Sequence, residues 1–190
     1  MKKIAVIGDI GSGKTHFAKL FKAPTFNADK EVGKIYRNNH YIFRRLKKKF
    51  PNFIKKYPIN KNEILNIIFA KPNNLKIIGK FVHPIVRKKM SNFLKKNKKK
   101  PFVLLDVPLY VENNLNKKKD IIIFIKADKK KMIKNLNKRR GFNHKLLYIL
   151  RKNQMPLSKK KKIASFIINN DFNNSEAKKK VKFLKGKILQ

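Results

Sequence analysis

The stretches 4–7, 102–105 and 121–125 of the chain are apolar at every successive position. A strand with one wet face alternates, whereas an unbroken apolar run marks a strand buried on both faces, as in a parallel sheet. The pattern predicts strands over 2–7, 102–106 and 120–125, with shorter ones at 25–27 and 165–169. Between them the spacing turns helical. Phe17, Leu20 and Phe21 share one face of a helix predicted over 15–21. Asn60-Lys61-Asn62-Glu63 reads as a capping box, continued by Ile64, Leu65, Ile67, Ile68 and Phe69 as an amphipathic helix. A longer helix is predicted over 74–93, bent at Pro84, which lacks a backbone donor. A closing helix is predicted over 175–184. Strands alternating with helices predict an α/β fold, a doubly wound five-stranded parallel sheet in a single domain. Its core covers 1–59 and 101–190, with a helical insertion over about 60–100.

Composition changes this picture little but bounds the chemistry. The chain has 190 residues, of which 42% are hydrophobic, so it can bury a core. It has no cysteine, which excludes a disulfide framework and a thiolate metal site. No apolar run approaches the ~20 residues of a membrane span, and the apolar start breaks at Gly8-Asp9, too early for a signal-peptide core. The expectation is a cytoplasmic monomer with no membrane contact. The net charge of +41 attracts polyanions. Yet 44 of the 51 basic residues are Lys, and they are spread over almost the whole chain. Arg is the bidentate phosphate reader, so the pattern fits solvated faces better than a specific nucleic-acid surface.

Candidate chemistry begins where the first strand ends. Gly8-Asp9-Ile10-Gly11-Ser12-Gly13-Lys14-Thr15 fits G-x-x-x-x-G-K-[ST] at every required place. Glycines there let backbone N–H groups cradle phosphates, Lys14 reaches the β/γ-phosphates and the Thr15 hydroxyl binds Mg²⁺. A strand before and a helix after complete the context of a P-loop NTPase-type fold binding ATP, and His16 is grouped with the loop. Asp29 follows the second short strand, where it serves either as helix N-cap or as a base for an attacking hydroxyl. Asp106 ends a strand and either orients Mg²⁺ or caps the next turn.

Several further segments resemble the dephospho-coenzyme A kinases. Asn27-Ala28-Asp29 stands where that family shows Asp-Ala-Asp. Phe69-Ala70 followed by His83-Pro84-Ile85 is similar to its F…HP segment, and Asp106-Val107-Pro108-Leu109-Tyr110-Val111-Glu112 to its D-x-P-L-L-x-E stretch. Gln154-Met155-Pro156-Leu157, with Ala164 and Ile168-Asn169-Asn170, resembles its Q-M-P-L…A-D…I-D-N tail. The resemblance implies ATP- and Mg²⁺-dependent phosphorylation of the ribose 3′-hydroxyl of dephospho-CoA. It implies Asp29 as general base, Lys14 and Thr15 on the phosphates and metal, and Asp106 toward the metal. His83, Leu109 and Glu112 would line the acceptor pocket, with the helical insertion as acceptor-binding region. A lid over about 139–155 would bring Arg140, or else Arg139 or Arg151, to the transferring phosphate. Departures are Asn27 for the first Asp, Ser165 and Asn169 for tail acids, and Tyr110 for Leu. His83 also reads as a helix-entry residue, Glu112 as a helix-start acid and Arg140 as a surface cation. Two competing functions are another small-molecule kinase, such as a nucleoside monophosphate kinase, and a basic nucleic-acid-binding ATPase.

Overall fold

A computed structural model describes residues 1–139 and 141–190. The chain divides into two compact units, one of residues 1–27 with 97–190, the other of residues 28–96. The first unit is built on β1 (Lys2–Gly8), β2 (Thr25–Asn27), β3 (Phe102–Asp106), β4 (Ile121–Ala127) and β5 (Phe166–Asn170). These form one all-parallel sheet in the order β2-β3-β1-β4-β5. Chain connections leave β1 toward β2 on one side and leave β3 toward β4 on the other. In such sheets ligands gather at the carboxyl ends of the adjacent strands where that direction reverses, here β1 and β3.

β1 and β3 are buried along nearly their whole length, as their unbroken apolar runs require. Ile4, Val6, Leu104, Ile123, Ile125 and Ile168 form one core layer with Phe17 and Ala18 of helix α1 (Lys14–Leu20) and with Phe21, its C-cap. The C-terminal helix of this unit, Asn174–Leu189, adds Ala177, Val181, Leu184 and Ile188 to that layer. Three more helices, Lys129–Asn137, His144–Lys152 and Leu157–Lys162, lie between β4 and β5. Asp128 and Asn143 cap the first two by accepting N–H bonds from Lys131 and Leu146.

The second unit is all-helical, with α2 (Ala28–Asn38), α3 (His40–Lys49), α4 (Lys61–Ala70) and α5 (Asn74–Lys96). The helices between β4 and β5 are accordingly α6, α7 and α8 in chain order, and the C-terminal one is α9. The capping box at Asn60 and Glu63 is present in full. Pro84 lies inside α5, which continues to Lys96. The helical unit begins at Ala28, so α2 and α3, read from sequence as part of the core, pack with the insertion instead. Ile35, Ile42 and Leu46 are the reason: each is almost fully buried, and α2 and α3 both lie against α5.

Candidate active site

The loop after β1 is shaped by glycines at left-handed φ. Gly11 and Gly13 stand at 85° and 94°, and Gly8 at 150°. A Cβ at Gly13 would lie 2.6 Å from the Asn170 amide nitrogen, and one at Gly11 would lie 2.7 Å from the Leu136 side chain. Side chains are therefore excluded by space as well as by backbone conformation. Asn170, buried at the end of β5, locks the loop from behind: its Nδ2 donates to the Ser12 carbonyl at 2.9 Å. Its Oδ1 accepts from the Phe172 N–H at 2.9 Å and holds Phe172 at a φ of 65°. Lys14 folds back along the loop and donates to the Asp9 carbonyl at 2.7 Å and the Gly8 carbonyl at 3.3 Å.

At the head of α1 the Thr15 hydroxyl donates to Asp106 Oδ2 at 2.6 Å. The Asn27 amide donates to the same oxygen, also at 2.6 Å. Asp106 is buried, 4% exposed, and its place at the end of β3 sets it beside the loop from β1. Of its two sequence readings, the turn cap finds no support among the bonds it makes. Asn27 is thus a neutral donor where a second carboxylate would repel Asp106. Among the described residues no group of three or more His, Cys, Asp or Glu is arranged to hold a metal ion. That suits Mg²⁺, which takes one or two protein oxygens and keeps its phosphate and water ligands. One buried carboxylate and one hydroxyl on the same spot are such a donor set.

Asp9 is the acid of the loop. Its Oδ1 accepts from the Ile10 N–H at 2.7 Å and from Arg151 Nε at 3.1 Å, and its Oδ2 from Arg151 Nη2 at 2.6 Å. Arg151 stands in the last turn of α7. A cavity of about 540 Å³ opens beside this pair, with Lys129, Lys152 and Met155 also in its wall. A smaller cavity of about 220 Å³ lies against Gly13, His16, Asn135, Asn170 and Phe172. His16 is exposed and meets the Phe17 ring edge-on at 6.0 Å.

Glu112 departs from one of its two sequence readings, that of a helix-start acid. It lies in the turns after β3, outside any helix. Its Oε1 pairs with Lys160 Nζ at 2.7 Å and accepts from the Met155 N–H at 3.0 Å. Lys160 is fully buried and also donates to Gln154 Oε1 at 3.1 Å. The Pro-Leu-x-x-Glu turn and the Gln-Met-Pro-Leu turn are therefore one hydrogen-bonded structure. Leu109 is half-buried in the first of these turns. Sequence reasoning missed Lys160, one lysine in a run of four, and nothing but burial separates it from its neighbours.

Two expected residues belong to the helical unit. Asp29 stands exposed in the first turn of α2, which starts at Ala28, so it is not the N-cap. A carboxylate there is favoured by the helix dipole. His83, half-buried in α5, is held below the ordinary histidine range by burial and secondarily by the Arg87 charge. Its ring packs over Gly79, where a Cβ would come within 3.0 Å of it. Arg140 lies outside the described residues. Arg139 is exposed just beyond α6.

Residues 3–176 match the family model for dephospho-CoA kinase. The chain belongs to the dephospho-CoA kinase family. The dephospho-CoA kinase of Bartonella quintana is 29% identical over 174 residues, covering 89% of each chain. A Thermus thermophilus protein, TT1252, shares the fold with a TM-score of 0.79 at 22% identity, covering 98% of this chain and 97% of its own. Dephospho-CoA kinase from Campylobacter jejuni shares it with a TM-score of 0.65 at 23% identity over the same shares of the two chains. In this scaffold Thr15 at the head of α1, Asn27 at the end of β2 and Asp106 at the end of β3 are joined by hydrogen bonds. No described helix is long and apolar enough to cross a membrane.

Proposed function

We propose that this protein transfers the γ-phosphoryl group of ATP to the ribose 3′-hydroxyl of dephospho-CoA, giving coenzyme A and ADP. The observation that carries the reading is the bond of Thr15 to a buried Asp106 beside a complete phosphate loop, in a chain of this family. The loop amides and Lys14 hold the phosphates. Lys14 already donates to oxygens of the loop, and the same ammonium serves phosphate oxygens of higher charge. Thr15 and Asp106 hold Mg²⁺, with Asn27 keeping the Asp106 carboxylate in place. Bound there, Mg²⁺ neutralises charge on the β- and γ-phosphate oxygens. The cavity against Gly13, His16 and Phe172 suits the adenine, an aromatic beside amides that can hydrogen-bond ring nitrogens.

Asp29 takes the proton of the 3′-hydroxyl as its oxygen bonds to the γ-phosphorus. The bond from that phosphorus to the β–γ bridging oxygen breaks, and ADP leaves with the electron pair. His83 and Leu109 contact the acceptor. Glu112 acts through the turn that it and Lys160 hold, and so places Leu109. The protein works on small molecules with ATP and Mg²⁺, and the lysine-rich surface steers these anions toward it.

The test is product identification after incubation with ATP, Mg²⁺ and a panel of dephospho-CoA, AMP and nucleosides. Coenzyme A as the product supports the proposal, whereas phosphorylation of AMP or a nucleoside but not of dephospho-CoA refutes it. Asp29→Asn should lower kcat by ~10²–10⁴-fold while ATP still binds. Near-normal turnover in that variant would remove Asp29 as the base.

A further inference from the structure

Both groups that Asp9 holds are of the kind that bind phosphate. One is a phosphate-loop amide, the Ile10 N–H, and the other a planar guanidinium gripping both carboxylate oxygens. A carboxylate inside a loop built for a triphosphate is also a charge of the wrong sign for its ligand. The placement has two explanations. Asp9 either fastens α7 to the loop as a permanent strut, or competes with the nucleotide for the same two donors.

Anchoring of α7 argues against the strut. Leu147 and Ile149 bury its apolar face, and the Asn143 side chain caps it. Leu147 joins Met132 and Leu136 of α6 in a cluster that also takes in Ile10. The helix is thus tied to the loop without any ion pair. The Asp9–Arg151 pair is also partly wet, with the Arg151 side chain 39% exposed, and pairs of that kind contribute little to stability. A phosphate oxygen is the stronger acceptor for a guanidinium, because it carries more charge in the same two-pronged geometry. The cavity beside the pair, walled also by Lys129 and Lys152, leaves Arg151 room to turn.

We propose that Asp9 is an internal rival of the nucleotide phosphates: it holds Arg151 and the Ile10 amide, and a bound triphosphate takes Arg151 from it. Arg151 then serves as a cation on the phosphates, delivered from α7, and Asp9 sets how tightly ATP binds. The inference rests on the nucleotide-binding half of the proposed function and is independent of the acceptor.

Calorimetric titration with ATP and Mg²⁺, without any acceptor, separates the alternatives. Asp9→Asn keeps the shape and an acceptor for Ile10 but loses the charge, and should bind ATP ~3–10-fold more tightly, the fold-change of a partly exposed ion pair. Arg151→Gln should bind it more weakly, in the Asp9→Asn background as well. Unchanged or weaker binding by Asp9→Asn overturns the proposal and makes Asp9 a strut. In the wild-type protein, which needs no variant to fold, the Arg151 Nε–H resonance should move on addition of inorganic tripolyphosphate. A stationary resonance at saturation overturns it equally. If the wild-type protein binds no ATP, the nucleotide site and the competition fall together. If it binds ATP and phosphorylates something other than dephospho-CoA, only the acceptor reading falls.

Discussion

Asp106 and Asp120 are both buried carboxylates at strand ends of the same sheet, 4% and 7% exposed. Asp106 receives two neutral donors, the Thr15 hydroxyl and the Asn27 amide. Asp120 receives the Tyr110 hydroxyl at 2.6 Å, the Lys117 N–H at 2.8 Å and, in addition, the Lys3 ammonium at 2.5 Å. Burial of an anion is tolerated when a cation accompanies it. Asp120 has its cation within the chain and is thereby satisfied. Asp106 is held by neutral donors and forms no salt bridge among the described residues. The two acids do not differ in burial but in the charge of the partner and in strand position, Asp106 ending β3 at the carboxyl edge of the sheet and Asp120 preceding β4 at the opposite edge.

That contrast can be broken in several ways. The largest effect is expected for Asp106→Asn, which should lower kcat at least ~10²-fold with the melting temperature nearly unchanged. Loss of folding instead of turnover would make Asp106 structural. Asp120→Asn should do the reverse, because it leaves the Lys3 ammonium without its buried partner. Chemical denaturation should show a loss of ~3 kcal/mol, with normal kcat for the folded protein. The smallest effect is on pH dependence. Burial, aided by Arg87, holds His83 below its ordinary range, so folding favours the neutral ring. Stability from this source is full above the unfolded value near 6.5 and is lost as pH falls from there toward the folded value. His83→Gln should flatten stability between pH 7 and 5 by that share, and an unchanged slope would show that the ring is not the titrating group.

Much of the sheet was legible because parallel strands buried on both faces read as unbroken apolar runs. The strand at 102–106 lies where its apolar run puts it, and the short strand at 25–27 also lies where it was read. β4 starts one residue later than read, at Ile121. The helices α3 and α6 were not read, because lysine and arginine dilute their apolar faces, and α7 was not read because its run at 146–150 is unbroken rather than periodic. Their caps were available as a signal: Asn39, Asp128 and Asn143 each precede a helix and accept an N–H bond from its first turn.

The phosphate loop was legible for a different reason. Its glycines are required by φ and by the approach of Asn170 and Leu136, so its motif is fixed by space. What could not be read was pairing. Nothing in the chain order brings Asp9 to Arg151 or Glu112 to Lys160, 142 residues apart in the first case. Among 44 lysines a buried one looks like any other. Asn27 stood in the sequence as a weakened metal position, and in the fold it is instead the amide that steadies Asp106.

The decisive measurement is a Mn²⁺ titration followed by electron paramagnetic resonance, with ATP present and Mn²⁺ standing in for Mg²⁺. The account predicts that the wild-type protein and Asp120→Asn bind the Mn²⁺–ATP complex alike, whereas Asp106→Asn binds it markedly more weakly. Equal affinity in Asp106→Asn, or a loss in Asp120→Asn while it remains folded, would contradict the assignment of Asp106 as the metal-binding acid.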